Sequence, residues 1–188
     1  MRIIKRKLAE FLLESAKVAP VIGVLGPRQS GKTTLVKEVF FDHVYVSLED
    51  FDLRDFALKD PRGFLDKYGT EKGIIIDEVQ YAPKLLSYIQ TRVDADYKVG
   101  FYVITGSQNI LMHQAVTQSL AGRIALHTLL PFSFQELSEA DLLPKVPEEV
   151  IYTGFYPPTY SRGWNIESWF NDYVSTYLER DVRTIAAV

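Results

Sequence analysis

The sequence predicts an α/β domain with a parallel sheet that is covered by helices on both faces. Short apolar runs at 21–25, 73–76 and 99–105 alternate with helical segments along the chain. Runs that are apolar throughout are typical of strands buried on both faces of a parallel sheet. In addition, the glycine-bearing string GPRQSGKT at 26–33 directly follows the first run and precedes a helical segment.

The first half of the chain alternates predicted helices and strands. Pro20 ends the first helix, which is amphipathic, and Pro61 and Gly63 interrupt a charged helical segment after the second strand. The predicted elements are a helix, a buried strand, a helix, a β-rich strand and the charged helical segment, at 3–17, 21–25, 33–41, 43–48 and 50–68.

The second half continues this alternation up to Pro131 and then changes. Residues 142–163 hold four prolines and are predicted as a loop with short turns. Residues 164–183 are predicted as an amphipathic helix, whose aromatic side chains recur at helical spacing and are interpreted as packing residues. The elements between are predicted as strand, helix, strand, helix, strand and helix, at 73–76, 83–93, 99–105, 109–120, 123–129 and 132–141.

The composition excludes several classes of protein. None of the 188 residues is cysteine, which excludes a disulfide scaffold and a thiolate metal site, and the three histidines are too widely spaced to suggest zinc. The net charge of -3 does not favour a nucleic-acid partner but leaves a local basic patch open. The basic cluster Arg2, Lys5, Arg6 and Lys7 is interpreted as a solvated helix face, with nucleic-acid contact as the alternative. No apolar run reaches the ~20 residues of a membrane span, so we expect no membrane partner and a cytoplasmic protein.

The string GPRQSGKT matches G-x-x-x-x-G-K-[ST] at every fixed position, in the strand–loop–helix context that this motif requires. Its glycines let the backbone wrap so that successive N–H groups point at phosphate oxygens, and the next helix adds its positive dipole end. Lys32 is expected to bind the β- and γ-phosphates, and Thr33 to bind Mg²⁺ through its hydroxyl. The predicted nucleotide-binding residues are Gly26, Pro27, Arg28, Gln29, Ser30, Gly31, Lys32, Thr33 and Thr34.

The strand at 73–76 is followed by two acidic residues, Asp77 and Glu78. Asp77, at the end of the strand, is predicted to bind Mg²⁺ through its waters, and Glu78 to polarise a water for attack on the γ-phosphate. An acidic residue directly after the aspartate favours ATP hydrolysis by a glutamate. No guanine-specific N-K-x-D string occurs in the chain, so ATP is the expected nucleotide.

Several strings together resemble one family. GPRQSGKTTL, IIIDEVQ, TGSQNILM, LAGRIALHTLLPFSFQEL and WFNDYVSTYLERDVR are similar, in order and spacing, to the prokaryotic AAA+ group of predicted ATPases. The resemblance covers nearly the whole chain. It implies a P-loop NTPase fold with a five-stranded parallel sheet in the order 5-1-4-3-2.

The resemblance also implies roles for three more residues. Ser107 and Gln108 lie where a polar sensor contacts the γ-phosphate or the attacking water, and the choice between them stays open. Arg123 lies where AAA+ proteins place an arginine finger that acts on the nucleotide of a neighbouring subunit, which requires a homo-oligomer.

Members of this family usually continue into a second, C-terminal domain, and this chain ends before it. We therefore expect an N-terminal helix packed on the core at 1–20 and a P-loop ATPase core at 21–141. At 142–188 we expect a loop and a C-terminal helix that begins the linker to the further domain.

The predicted function is Mg²⁺-dependent ATP hydrolysis, coupled to an unknown partner or to that C-terminal domain. Three alternatives remain. One is a nucleotide-binding switch with negligible hydrolysis. Another is a small-molecule kinase, which the Asp77–Glu78 pair and the TGSQ string disfavour. The third is the ATPase module of a DNA-associated protein.

Overall fold

The computed structural model describes residues 3–107, 118–161 and 165–178. The chain forms two compact units. We call Lys7–Pro27 with Gly31–Leu129 the sheet unit, and the described parts of Met1–Arg6, Arg28–Ser30 and Leu130–Val188 the C-terminal unit. The longest segment of the C-terminal unit starts at Leu130. The functional division into domains stays a prediction.

The sheet unit contains a five-stranded parallel sheet. Its spatial order is β2-β3-β4-β1-β5, which confirms the predicted order 5-1-4-3-2 read from the other edge. The register pairs Gly26 with Ser107 and Ser47 with Asp77, so the carboxyl ends of the strands meet at one edge. The strands are β1 (Val21–Gly26), β2 (Val44–Ser47), β3 (Ile74–Asp77), β4 (Tyr102–Ser107) and β5 (Ile124–Thr128).

Both faces of the sheet are buried, as the apolar runs predict. In β1, Val21 and Leu25 belong to one apolar cluster, whereas Ile22 and Val24 belong to a second. The two clusters lie on opposite faces, because successive side chains of a strand point in opposite directions. Every residue of β1, β3 and β4 is buried, whereas the edge strands β2 and β5 are partly exposed.

Five helices of the sheet unit are described over their full length, together with one 3₁₀ turn. The charged segment 50–68 forms two of them, because the Asp60 carboxylate accepts a hydrogen bond from Gly63 N at 2.9 Å and Pro61 begins the second helix. The first helix begins later than predicted, at Leu8. The helices are α1 (Leu8–Ala16), α2 (Lys32–Val39), α3 (Phe51–Lys59), α4 (Pro61–Tyr68) and α5 (Leu85–Ala95), with the 3₁₀ turn at Val79–Tyr81. The helix predicted at 109–120 lies outside the described residues except for 118–120, which are helical.

The C-terminal unit is helical in its described part. The segment 142–163, predicted as a loop, contains two short helices that begin at Pro147 and Pro157, since proline is well suited to the first turn of a helix. The helices are α6 (Phe134–Glu139), α7 (Pro147–Thr153), α8 (Pro157–Ser161) and α9 (Ile166–Tyr173), and a π-helical turn follows at Val174–Leu178. No helix in the described ranges is long and apolar enough to cross a membrane.

Arg6 corrects the interpretation of the N-terminal basic cluster as a solvated helix face. It is only 7% exposed and lies before α1, within the C-terminal unit. Its guanidinium donates to Glu136 Oε1 at 3.1 Å and to the backbone carbonyls of Ser30 and Leu130 at 2.8 and 2.6 Å. Burial lowers the pKa of Arg6, and the charge and hydrogen bond of Glu136 act in the opposite direction. The arginine therefore serves as an internal anchor of this unit.

Candidate functional site

The loop between β1 and α2 has the backbone that the glycine motif predicts. A Cβ on Gly26 would collide with the carbonyl oxygen of Leu129, so only glycine fits at this point. Gly31 has a φ of 94° and precedes α2 directly. Gln29 also lies in the left-handed region, with a φ of 60°, which is uncommon for a residue with a side chain. Such alternation of backbone conformations turns successive N–H groups to the same side and forms an anion-binding nest.

The remaining loop residues differ in exposure. Lys32 is buried, and its ammonium group donates to the carbonyl oxygens of Gly26 and Pro27 at 3.1 and 2.9 Å. Ser30 is fully buried, and its hydroxyl has no hydrogen-bond partner within the described part of the chain. Thr34, in the first turn of α2, is exposed. The lysine is thus held against the loop to which the motif assigns it.

The carboxylate of Asp77 accepts hydrogen bonds from hydroxyl groups on three different elements. Its Oδ2 accepts hydrogen bonds from Thr33 of α2 and from Tyr45 of β2, both at 2.8 Å, and its Oδ1 accepts one from Thr105 of β4. The carboxylate is 3% exposed. Hydrogen bonds to a charged acceptor are stronger than neutral ones, so the network fixes the orientation of the carboxylate.

Tyr45 stays protonated in this network. Burial, followed by the hydrogen bond to Asp77, raises the pKa of its phenol. The ammonium of Lys37 lies 3.6 Å from the centre of the Tyr45 ring, within the range of a cation–π contact. The phenol is therefore held as a hydrogen-bond donor to Asp77.

Glu78 follows Asp77 in a left-handed conformation, with a φ of 58°. Its backbone N–H donates to Thr105 Oγ1 at 3.2 Å, and its carbonyl accepts from Tyr81 N at 3.1 Å. Its carboxylate accepts a hydrogen bond from the side-chain amide of Gln80. Thr105 therefore contacts both members of the acidic pair, Asp77 through its hydroxyl hydrogen and Glu78 through its oxygen.

The residues assigned by resemblance have different surroundings. Ser107 ends β4, is buried and is paired in register with Gly26, at the same sheet edge as Asp77. Gln108 lies outside the described residues. Arg123 precedes β5 and forms a two-point ion pair with Asp94, from Nε to Oδ1 at 2.5 Å and from Nη2 to Oδ2 at 2.9 Å. This hydrogen bond is the main cause of a raised pKa for Arg123.

Sequence reasoning missed several residues that contact the site. Thr105 had a detectable signal, because it is a polar residue inside an apolar strand. Tyr45 had none, since a tyrosine in a β-rich strand is ordinary. Trp169 had no local signal either, but its Nε1 donates a hydrogen bond to Gln29 Oε1 at 3.0 Å within the C-terminal unit.

The oxygen atoms near the loop suit a magnesium ion that is bound mainly by phosphate and water oxygens and only in part by the protein. Mg²⁺ is usually bound by one or two protein oxygens together with phosphates and waters. Thr33 and Asp77 supply a hydroxyl and a carboxylate 2.8 Å apart. In the described ranges, no group of three or more histidine, cysteine, aspartate or glutamate side chains is arranged to hold a metal by itself.

The fold is shared with solved structures of P-loop proteins. A Walker-type ATPase of Pyrococcus abyssi superposes with a TM-score of 0.55 at 20% identity, over 97% of this chain and 72% of the other. The AMPPCP-bound DnaA of Aquifex aeolicus gives a TM-score of 0.56 at 14% identity, over 93% of this chain and 65% of the other. At these identities the similarity establishes the fold alone.

Sequence comparison identifies both relatives and a family. Uncharacterised proteins of Mycobacterium tuberculosis and Mycobacterium bovis are each 31% identical over 185 residues, which is 97% of this chain. This chain spans 40% of the length of these curated relatives. The family described as AAA domain matches residues 18–138, which include the phosphate loop, the acidic pair and all five strands. The chain therefore belongs to the AAA domain family of P-loop proteins.

Proposed function

We propose that this chain binds ATP with Mg²⁺ and hydrolyses it to ADP and phosphate. The observation that carries the proposal is the hydrogen bond of 2.8 Å between Thr33 and Asp77, which brings the end of the phosphate loop to the acidic end of β3. Ligands of open α/β sheets bind beyond the carboxyl ends of the strands, and both residues lie at that edge.

Four groups of the sheet unit would bind the nucleotide. Lys32 would shift its ammonium hydrogen bonds from loop carbonyls to phosphate oxygens, and the N-terminus of α2 would contribute its N–H groups and positive dipole end. Thr33 and Asp77 would hold Mg²⁺. When bound, the ion neutralises negative charge on the phosphates.

Glu78 is proposed as the general base. Its carboxylate would take a proton from a water molecule, whose oxygen attacks the γ-phosphorus in line with the bond that breaks. That bond joins the γ-phosphorus to the bridging oxygen, which leaves with ADP. The hydrogen bond from Glu78 N to Thr105 fixes the backbone from which the carboxylate projects.

Ser107 and Gln108 remain proposed sensors, and Arg123 a proposed arginine finger in a homo-oligomer. The pairing of Ser107 with Gly26 in the sheet register supports the proposal for Ser107. Arg123 would have to exchange its ion pair with Asp94 for a phosphate of the neighbouring subunit. The molecular mass of the protein in solution, measured with and without Mg-ATP, tests whether an oligomer forms, and the same measurement on Arg123→Ala tests the role of the arginine. A protein that stays monomeric at saturating nucleotide would contradict the proposal. Coupling of the ATP cycle to a further domain is proposed on the resemblance alone.

A nucleotide-binding switch is the second candidate function. Two observations favour it: the Gln80 amide donates to the Glu78 carboxylate, and Asp94 engages Arg123. In each contact, a side chain proposed to act in hydrolysis is hydrogen-bonded to another side chain of the protein. Hydrolysis by the isolated chain is therefore expected to be slow. The role of a DNA-associated module stays an alternative, and DNA binding measured at several salt concentrations tests it.

Single-turnover phosphate release separates hydrolysis from switching. We expect Glu78→Gln to bind Mg-ATP as tightly as the wild type but to release phosphate about 10²–10⁴-fold more slowly, the usual effect of losing a general base. Glu71→Gln is the matched control, because Glu71 is exposed and precedes β3. Release at the wild-type rate by Glu78→Gln would contradict the assignment. Binding without release by the wild type would support the switch.

A further inference from the structure

The C-terminal unit contains an aromatic cluster formed by Tyr156, Trp169 and Tyr173. The ring centres lie 5.2 Å apart for Tyr156–Trp169, 5.1 Å for Trp169–Tyr173 and 5.0 Å for Tyr156–Tyr173. Trp169 and Tyr173 lie one helical turn apart on α9 and are 2% and 7% exposed. Such mutual packing fixes the directions in which the polar atoms of the rings point.

The polar atoms of this cluster contact the tip of the phosphate loop, Arg28–Ser30, which belongs to the same unit. Trp169 Nε1 donates to Gln29 Oε1 at 3.0 Å, and the Tyr173 hydroxyl donates to the carbonyl of Arg28 at 3.4 Å. The Tyr173 hydroxyl also lies 3.2 Å from that of Tyr156. Trp169 and Tyr173 of α9 therefore hydrogen-bond to two consecutive residues of the loop tip, and Tyr156 packs against both rings.

Gln29 needs this support because of its backbone. Its φ of 60° lies in the left-handed region, which a side chain disfavours and glycine adopts freely. Gln29 itself is exposed. The indole N–H of Trp169, in contrast, is directional and belongs to a buried ring. The hydrogen bond to Trp169 thus ties the side chain of the strained residue to a rigid part of its unit.

We propose that Trp169 is a positioning residue for nucleotide binding. By holding Gln29, it keeps the loop tip in the left-handed conformation that turns the loop N–H groups toward phosphate before the nucleotide arrives. Trp169 itself does not contact the nucleotide. The inference rests on the proposed function, because it takes ATP as the ligand of the loop.

Substitutions at the exposed position 29 test the mechanism without disturbing a core. Gln29→Ala removes the acceptor but keeps the penalty of a side chain, so the dissociation constant for Mg-ATP should rise about fivefold. Gln29→Gly also removes the acceptor but makes the left-handed conformation free of strain. It should therefore bind Mg-ATP more tightly than Gln29→Ala does. The proposal would be overturned if Gln29→Ala bound Mg-ATP as tightly as the wild type. It would also be overturned if Gln29→Ala and Gln29→Gly lost the same affinity for Mg-ATP.

A double-mutant cycle tests whether Trp169 acts through Gln29. Trp169→Phe keeps an aromatic ring and loses the N–H donor, so alone it should weaken Mg-ATP binding about fivefold, as Gln29→Ala does. In the Gln29→Gly background, the same change should have no further effect, because the loop no longer needs the anchor. Equal weakening in both backgrounds would show that Trp169 acts by another route and would overturn the proposal.

Two controls keep the outcomes separable. Thermal unfolding should show that each variant is folded at the temperature of the titration. If Trp169→Phe is not, the comparison of Gln29→Ala with Gln29→Gly decides alone. Calorimetric titration of the wild type with Mg-ATP is the reference. A folded wild type that does not bind Mg-ATP refutes the proposed function, whereas a wild type that binds, beside variants that bind equally well, refutes only the inference on Trp169.

Discussion

Asp77 accepts hydroxyl hydrogen bonds from Thr33, Tyr45 and Thr105, which lie on three different elements. The three hydroxyl groups are neutral donors that orient a buried carboxylate. A hydroxyl can rotate away from one acceptor and toward a cation at little cost. On the proposed function, Thr33 would exchange Asp77 for Mg²⁺, while Tyr45 and Thr105 would keep the carboxylate in position.

Tyr45→Phe tests the role of this network. The change removes one hydrogen bond to Asp77 and preserves the ring, so we expect the affinity for Mg²⁺ in the presence of ATP to fall about tenfold, as for other partners of metal ligands. Magnesium titrations of nucleotide binding measure it. Tyr97→Phe is the matched control, because the Tyr97 hydroxyl donates to the carbonyl of Val18, at 3.1 Å, and has no contact with Asp77. Identical magnesium titrations for both variants would contradict the assigned role.

The strands were predictable from the sequence because each combines an apolar run with a clear boundary. β1 ends at a glycine motif and β3 at an acidic pair, and neither depends on distant parts of the chain. α7 and α8 were not predictable as helices, since a proline-rich segment favours turns unless Pro147 and Pro157 happen to occupy first-turn positions.

The residues of the candidate site also fall into those that a local motif predicts and those that depend on the tertiary fold. Lys32, Thr33 and Asp77 belong to local motifs, and their roles were predicted from those motifs. Tyr45 and Trp169 reach their partners across long sequence separations, of 32 and 140 residues. No local pattern specifies such pairings, which depend on the tertiary fold. The burial of Arg6 has the same origin, because its partner Glu136 is 130 residues away.

Within the C-terminal unit, the ion pair of Arg6 with Glu136 joins the segment before α1 to α6. Both side chains are buried, so removal of one leaves an uncompensated charge. We expect Arg6→Met to lower the free energy of unfolding by about 3–5 kcal/mol in denaturant titrations. Lys17→Met, which breaks an exposed pair with Glu14, should cost less than about 1 kcal/mol. Equal effects of the two substitutions would contradict the structural role of Arg6.

α1 and β5 of the sheet unit meet at a titratable contact. His127 Nε2 lies 2.9 Å from Ser15 Oγ, and burial lowers the pKa of the histidine. The unfolded chain then binds a proton more readily than the folded one. The contribution of His127 to stability is thus present above the unfolded pKa of about 6.5 and falls as the pH decreases.

His127→Gln removes this titration and keeps a polar side chain. Between about pH 7 and about pH 5, the free energy of unfolding should fall more in the wild type than in His127→Gln. Denaturant titrations at several pH values measure the difference. A constant difference between the two proteins over that range would contradict the lowered pKa of His127.

The molecule as a whole combines the fold of the AAA domain family with a C-terminal unit that includes the tip of the phosphate loop. Arg6, Trp169 and Tyr173 all hydrogen-bond to that tip within the unit. Ligand binding to the folded state alone raises stability, so Mg-ATP at about 100 times its dissociation constant should add about 2.7 kcal/mol.

Calorimetric titration with Mg-ATP tests the central claim most directly. The wild type should bind one nucleotide per chain, and Lys32→Ala should lose binding, because it lacks the ammonium that the loop presents to phosphate. Lys72→Ala, which removes an exposed lysine next to β3, should bind like the wild type. Absence of binding by a folded wild type, or equal binding by wild type and Lys32→Ala, would contradict the assignment of this loop as the nucleotide site.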